Sequence, residues 1–251
     1  MTRNSNPERS RSPSSGAAQE CRRPPDSRPL VGHLLAVIFD MDGVLVDSYR
    51  GHYESWRALA EEHGIALSEA RFAELFGRTS REIIAELWGL GMSEHQSALM
   101  DARKEGFYRA ILEKNFPAME GAVVLIDSLV AAGFVLAVGS SGPPENIELS
   151  MQKLGRAQCF SVRVTGMDVA HGKPDPQVFL LAAERLGVAP SQCVVIEDAP
   201  AGIAAARAAG MTAIALTGTA PAAKLGTAHL VVDSLRELTP ERIAHLIRTR
   251  Q

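Results

Sequence analysis

From Leu34 onward, short apolar runs rich in branched residues alternate with stretches whose apolar residues recur every three or four positions. Runs of the first kind suit buried strands, and the second kind suits helices laid against them. Together they predict an α/β fold, a Rossmann-like parallel sheet covered by helices. The expected strands are Leu35–Phe39, Val135–Val138, Val162–Val164, Val194–Ile196 and Ala213–Leu216. The helices between them carry recognisable ends. Residues 121–132 stop at Gly133, residues 176–186 begin at Pro176 and stop at Gly187, and residues 201–209 stop at Gly210. Proline early and glycine just past the end is the usual asymmetry of helix termini.

Residues 48–117 break this rhythm, with helical patterns near 50–62, 69–76, 80–88 and 94–113 and no strand. Their expected buried faces carry Trp56, Leu59, Phe72, Leu75, Ile83, Leu87, Phe107 and Ile111. At helical spacing an aromatic stripe reads as core rather than as a ligand platform. The pattern therefore predicts a helical cap at 48–117, inserted into a catalytic core made of 31–47 and 118–251. Residues 1–30 are dominated by Ser, Pro and Arg with almost no large apolar side chains. Such a segment buries too little surface to offset its ordering entropy, so a disordered tail is expected.

The chain has 251 residues, 46% of them hydrophobic and 22% charged, enough for one large or two modest domains. A net charge of −3 gives no electrostatic case for nucleic acid. Cys21, Cys159 and Cys193 include no Cys-x-x-Cys pair, so neither a disulfide framework nor a zinc site is indicated. Cys159 and Cys193 read as small buried apolar residues, in keeping with a reducing cytoplasm. No apolar run reaches the length of a membrane span, and no signal-peptide core is present. A cytoplasmic location is expected, with no membrane partner. No leftover apolar face compels a dimer, so a monomer is expected.

The candidate chemistry lies where strands end. The first strand runs into Asp40-Met41-Asp42-Gly43. Period-two geometry turns both aspartates to one side. Two carboxylates at about 4 Å repel by about 4 kcal/mol at an effective dielectric of about 20, so a cation is needed. A lone Asp-x-Asp is most often a turn or a helix cap. A calcium loop fails on spacing, because its glycine belongs five residues after the first aspartate. Company downstream decides the matter. Ser140 and Ser141 follow the second strand, Lys173 follows the third in Gly172-Lys173-Pro174-Asp175-Pro176, and Glu197-Asp198 follow the fourth. Open parallel sheets bind ligands outside these carboxyl ends. Each motif alone is weak, but together they are a strong signal.

From Leu34 to about Val232 the chain resembles the haloacid dehalogenase superfamily, in the branch with a helical cap after the first motif. That branch holds phosphoglycolate-type and sugar-phosphate phosphatases and β-phosphoglucomutases. The segment Glu197-Asp198-Ala199-Pro200-Ala201-Gly202-Ile203 is typical of it. The resemblance implies Asp40 as nucleophile, Asp42 as general acid/base, Ser140 as phosphate binder and Lys173 as charge stabiliser. It also implies Mg2+ on Asp40, the backbone carbonyl of Asp42 and Asp198, with Glu197 beside the metal. True dehalogenases lack the second aspartate, so Asp42 argues against that reaction. A carboxylate attacks phosphorus only once the phosphate charge is neutralised, which explains the lysine, the hydroxyl and the cation.

The expected substrate is a small phosphorylated metabolite, hydrolysed through an aspartyl-phosphate. The rival reading is a sugar-phosphate mutase, since His52 and Lys104 fall near the positions of that family's cap histidine and lysine. Against it, the cap loop Gly77-Arg78-Thr79-Ser80-Arg81-Glu82 is one residue longer than the mutase pattern, and the loop after Ser140 is less polar. A catalytically silent binding module is disfavoured because Asp40, Asp42, Lys173 and Asp198 are all present. His52 and Arg78 are the cap's candidate substrate contacts, Arg78 being otherwise a solvated helix-end charge. Asp47 and Ser48 are expected to cap the first cap helix. His171 reads as a surface residue. Asp42 is expected to have a raised pKa from its carboxylate neighbours.

Overall fold

The computed structural model describes residues 34–249, so the tail expected at 1–30 lies outside the described residues. Six parallel strands form one sheet: β1 (Ala36–Phe39), β2 (Val135–Gly139), β3 (Phe160–Val164), β4 (Cys193–Glu197), β5 (Thr212–Leu216) and β6 (Leu230–Val232), in the order β3-β2-β1-β4-β5-β6. This is the doubly wound order of an open α/β sheet. All five expected strands are present. β6 was not foreseen, because three half-buried residues at a sheet edge leave almost no periodic signal.

Helices α1 (Tyr49–Glu62), α2 (Glu69–Leu75), α3 (Ser80–Trp88) and α4 (Glu94–Lys114) follow β1 and form the cap. The core adds α5 (Ala122–Ala131), α6 (Pro144–Leu154), α7 (Gln177–Leu186), α8 (Pro200–Ala208), the short α9 (Ala222–Leu225) and α10 (Pro240–Thr249). α6 went unread because Pro143-Pro144 looks like a loop. Proline fits a helix's first turn, whose N–H has no partner inside the helix.

Alternation along β1 splits the core into two layers. Val37 and Phe39 pack with Leu125 of α5, Met151 of α6 and Ile243 of α10. Ala36 and Ile38 pack with Phe179 of α7 and Ile203 of α8 on the other face. The cap has its own cluster, centred on Trp56, Leu59, Phe72, Leu75 and Ile84. The buried stripe of α4 differs from expectation: Lys104, Tyr108 and Leu112 are buried, whereas Phe107 and Ile111 are only half-buried. The two cap connections lie side by side. Asp47 N donates to Pro117 O at 2.9 Å, Met119 N donates to Leu45 O at 3.0 Å, and Val46 bridges Ala118.

Among the described residues no helix is long and apolar enough to cross a membrane. Cys193 is free and buried, and burial pushes its thiol up to about 12. Cys159 is buried as well, as expected.

Candidate active site

Sheet register assembles the site. Phe39 of β1 stands beside Val138 of β2 and Ile196 of β4. The residues that follow, Asp40, Gly139-Ser140 and Glu197-Asp198, therefore leave the sheet side by side. Asp40 N extends the ladder by donating to Ile196 O at 3.0 Å. β1 and β4 meet where the winding of the sheet reverses, the crevice in which such sheets bind ligands.

Lys173 reaches this point from the loop before α7. Its Nζ donates to Asp40 Oδ1 at 2.6 Å and to Glu197 Oε1 at 2.7 Å. The other Glu197 oxygen accepts from Asp198 N and Ala199 N, each at 2.8 Å. Asp198 is buried against Gly43, whose φ of +76° suits glycine. A Cβ there would lie 1.8 Å from Asp198 Oδ2. Gly202 has the same relation to Glu197, where a Cβ would lie 1.8 Å from Oε1. Both glycines are needed because carboxylates fill the space a side chain would take.

Asp40, Glu197 and Asp198 each offer an oxygen, all within 4.8 Å of one another and all buried. With all three ionised, the single Lys173 ammonium would leave two negative charges in excess. Burial pushes Asp40 up to about 7; Lys173 opposes the shift and Glu197 adds to it. Burial, then the charges of Glu197 and Asp40, raise Asp198 well above the usual carboxylate range. Burial works against the Lys173 ammonium, but Asp40 and Glu197 outweigh it and hold its pKa above the ordinary value. A dry oxygen cluster short of two positive charges fits a hard divalent cation such as Mg2+. With Glu197 occupied by Lys173 and two backbone amides, Asp40 and Asp198 are the carboxylates freer to hold such a cation.

Asp42 faces the cap. Tyr108 Oη donates to Asp42 Oδ1 at 2.7 Å, and His52 Nε2 lies 3.4 Å from the same oxygen. The His52 ring stacks on Tyr108 at 4.2 Å, with planes 1° apart. Lys104 Nζ meets His52 Nδ1 at 2.9 Å and donates to Glu105 Oε1 at 2.8 Å. His52 thus turns one ring nitrogen to Lys104 and the other to Asp42. The expected raised pKa is corrected. Burial does push Asp42 upward, but the His52 hydrogen bond, the Tyr108 hydroxyl and the Lys104 charge outweigh it. They hold the carboxyl well below its usual range. Its neighbours are donors from the cap, not the carboxylates of the core.

Ser140 is buried, and Gly142 N donates to its Oγ at 3.1 Å. The same glycine borders Asp42: a Cβ on it would lie 3.9 Å from Oδ2. Ser141 is exposed. The Arg78 guanidinium pairs with Glu86 at 3.6 Å, and the structure does not bring it to either aspartate. His171 is exposed, as expected. Ser48 does occupy the N-cap position of α1, but its side chain makes no cap hydrogen bond and instead meets Tyr108. A cleft of 270 Å3 opens beside Gly43 and Thr219, walled on the cap side by Tyr49 and Phe76.

Comparison with known proteins agrees with this geometry. Residues 34–210 match the model of the haloacid dehalogenase-like hydrolases. The chain belongs to that family. Within it, the chain is 34% identical over 212 residues to the validoxylamine A 7'-phosphate phosphatase of Streptomyces hygroscopicus subsp. limoneus, covering 83% of this chain and 96% of that one. It is 35% identical to hexitol phosphatase A of Escherichia coli (strain K12), over 80% and 92% of the two chains. The crystal structure of β-phosphoglucomutase from Clostridium difficile superposes with a TM-score of 0.74 at 28% identity, covering 86% and 98%. The chain is thus a hydrolase-family enzyme with an α/β core and a helical cap.

Tyr108 is the site residue that sequence reasoning missed, together with Glu105 and Asn146. Lys104-x-x-x-Tyr108 places two polar heads one helical turn apart, which is the signal that was available. It was masked because α4 is charged on nearly every side.

Proposed function

We propose that this enzyme is a Mg2+-dependent phosphatase that hydrolyses a small sugar or polyol phosphate through an aspartyl-phosphate on Asp40. The observation that carries the reading is Lys173 Nζ bridging Asp40 and Glu197 at 2.6 and 2.7 Å in a buried acidic cluster. A nucleophilic carboxylate must be ionised and must meet a phosphate dianion without repulsion. Lys173 serves both needs, and the Ser140 hydroxyl, held from behind by the Gly142 amide, offers a hydrogen bond to a remaining oxygen. When bound at Asp40 and Asp198, Mg2+ supplies charge neutralisation and a fixed orientation for the phosphate.

Asp40 attacks phosphorus in line and the ester oxygen departs with a proton from Asp42; water then attacks the phosphorus of the aspartyl-phosphate, giving its proton to Asp42 as the Asp40 O–P bond breaks and phosphate leaves. Held below its usual pKa, Asp42 stands ready for the second duty. A phosphate dianion beside it raises that pKa and prepares it for the first. The relatives named as phosphatases of validoxylamine 7'-phosphate and of hexitol phosphates support a polyhydroxylated leaving group. His52 and, after a cap movement, Arg78 are the candidate contacts for it. A phosphorylated metabolite as substrate is in keeping with a cytoplasmic enzyme. Its exposed large apolar residues, Leu90, Leu99, Val124 and Met167 among them, come from different elements, in keeping with a monomer.

Phosphate release from a panel of sugar and polyol phosphates, with Mg2+ and with chelator, tests the reading. Asp40→Asn keeps the size of the side chain and should abolish turnover while the fold persists. Retention of more than a small fraction of activity would remove Asp40 from its role.

One observation favours the mutase as a second reading: His52 and Lys104, the pair expected near the mutase positions, do meet each other beside Asp42. β-Glucose 1-phosphate with a trace of the 1,6-bisphosphate separates the two. A phosphatase yields free phosphate and little glucose 6-phosphate. Stoichiometric glucose 6-phosphate without free phosphate would make the mutase the correct name.

A further inference from the structure

Beyond the aspartates, an unbroken polar chain crosses between core and cap twice. It starts on α6, in the first turn after the Ser140–Gly142 loop. Asn146 is 5% exposed. Its Oδ1 accepts from Arg109 Nη1 at 2.9 Å and its Nδ2 donates to Glu105 Oε2 at 2.6 Å, both partners belonging to α4. The amide orientation is dictated by its partners, since a flip would set oxygen against carboxylate and NH2 against guanidinium. The second Glu105 oxygen accepts from Lys104, which is 2% exposed and meets His52, which in turn faces Asp42. Both Glu105 oxygens are therefore committed, one to the core and one to the Lys104–His52 pair.

We propose that Glu105 and Asn146 form a closure latch, in which Glu105 is a positioning residue that seats Lys104 and His52 on Asp42 only while Asn146 holds the cap against the phosphate loop. The geometry explains why the device is paired. The cap joins the core through adjacent connections at Val46 and Ala118, so a swing of the cap about them parts Glu105 from Asn146 and His52 from Asp42 in one movement. Closure makes both contacts together, which ties the assembly of the acid/base group to the seating of the cap beside bound phosphate. A side chain that only braced the cap would not need its second oxygen on the lysine that orients His52. Charge-assisted hydrogen bonds of this length are the strong and directional kind. Lys104 also lies 5.2 Å from the Tyr108 ring centre, so displacing it disturbs both donors to Asp42.

The latch rests on Asp42 being the acid/base group, and the test keeps the two apart. The variants are Asn146→Asp, Glu105→Gln and the double exchange, in the full chain with Mg2+. Kinetics use sorbitol 6-phosphate, or a faster alkyl ester of the panel, alongside p-nitrophenyl phosphate; small-angle scattering reports cap position. Asn146→Asp keeps its pairing with Arg109 but sets a carboxylate against Glu105. It should open the cap, enlarge the radius of gyration and lower kcat on the alkyl ester by about tenfold to a hundredfold. The loss on p-nitrophenyl phosphate should be smaller, because that leaving group needs little protonation. Glu105→Gln alone should cost about fivefold. The double exchange restores complementarity, because the amide introduced on α4 donates to the carboxylate introduced on α6 and still accepts from Lys104. It should bring kcat within about threefold of wild type and scattering back to its original curve.

Asn146→Asp within about twofold of wild type with unchanged scattering overturns the latch, as does a double variant no better than Asn146→Asp. If Asn146→Asp does not fold, Glu105→Gln decides by the same kinetic and scattering criteria. Asp42→Asn retaining turnover would instead overturn the acid/base reading, leaving scattering and rescue to judge the latch.

Discussion

Removing the Lys173 ammonium should separate what holds the site together from what makes it work. Its Nζ lies 2.6 Å from Asp40 Oδ1 and 2.7 Å from Glu197 Oε1, and all three side chains are at most 9% exposed. At 2.6 Å and an effective dielectric of about 20, one such pair has a gross attraction of about 6 kcal/mol. Most of that offsets desolvation. Breaking a buried pair by removing one partner has a net cost of about 3–5 kcal/mol. Lys173→Met, which preserves length, should therefore lower Tm of the metal-free enzyme by about 6–20 °C at pH 8, taking about 2–4 °C per kcal/mol for a chain of this size. At pH 6 the drop should be smaller, because Asp40, already pushed up to about 7, then takes up a proton instead of standing as an uncompensated charge. Millimolar Mg2+ should return part of the stability by mass action. It should not return the activity, which falls about a thousandfold because no cation then lies between nucleophile and phosphate. Lys224→Met, on the exposed face of α9, is the control and should change neither quantity. Melting curves in chelator and in Mg2+, with phosphate release on the same samples, give both readouts. A Tm within about 2 °C of wild type in chelator at pH 8 would refute the stability reasoning. An activity loss under about tenfold would refute the catalytic role.

Tyr108→Phe deletes the hydroxyl that donates to Asp42 at 2.7 Å. Its loss should cost kcat about tenfold and move the acidic limb of the pH–rate profile to higher pH, since that hydrogen bond helps hold Asp42 down; an unmoved limb would speak against the coupling. Asp40 rises from 3.8 unfolded to about 7 folded. The stability it contributes is thus complete below the lower value and lost as pH climbs through the higher one, so metal-free melts should fall between pH 5 and 8. For the same reason apparent Mg2+ affinity should weaken by up to about tenfold per pH unit below 7, and calorimetry showing no proton release on metal binding would contradict it. Gly202→Ala places a Cβ 1.8 Å from Glu197 Oε1 and should displace the Lys173 anchor, with loss of both activity and stability; a variant that melts and turns over like wild type would rule out the crowding.

What the sequence carried by itself was whatever one segment encodes locally. Branched apolar runs specify buried strands by their own burial, so Val37 to Phe39 and Val194 to Ile196 were legible. The polar residues just past those runs fall at strand ends by counting, which made Asp40, Glu197 and Asp198 candidates before any contact was known, whereas Lys173 sits nine residues beyond β3 and was legible only from its own loop motif. Local signals also placed α1 to α4 and their insertion after β1. Tertiary structure decided everything that depends on which faces meet. Tyr108 and Asp42 are 66 residues apart, and no periodicity links them. Helix α4 shows no continuous apolar face because its buried stripe runs through Lys104, and a lysine is counted as polar until a partner is found for it. Only the packing of α1 on α4 brings His52 to that lysine, and only the approach of α6 gives Glu105 its core contact. The protonation of Asp42 follows the same logic. From sequence its nearest charges are carboxylates, which predict a raised pKa, whereas in space its nearest groups are donors from the cap, which lower it. A pKa answers to distance through space, and the chain alone supplies only distance along itself.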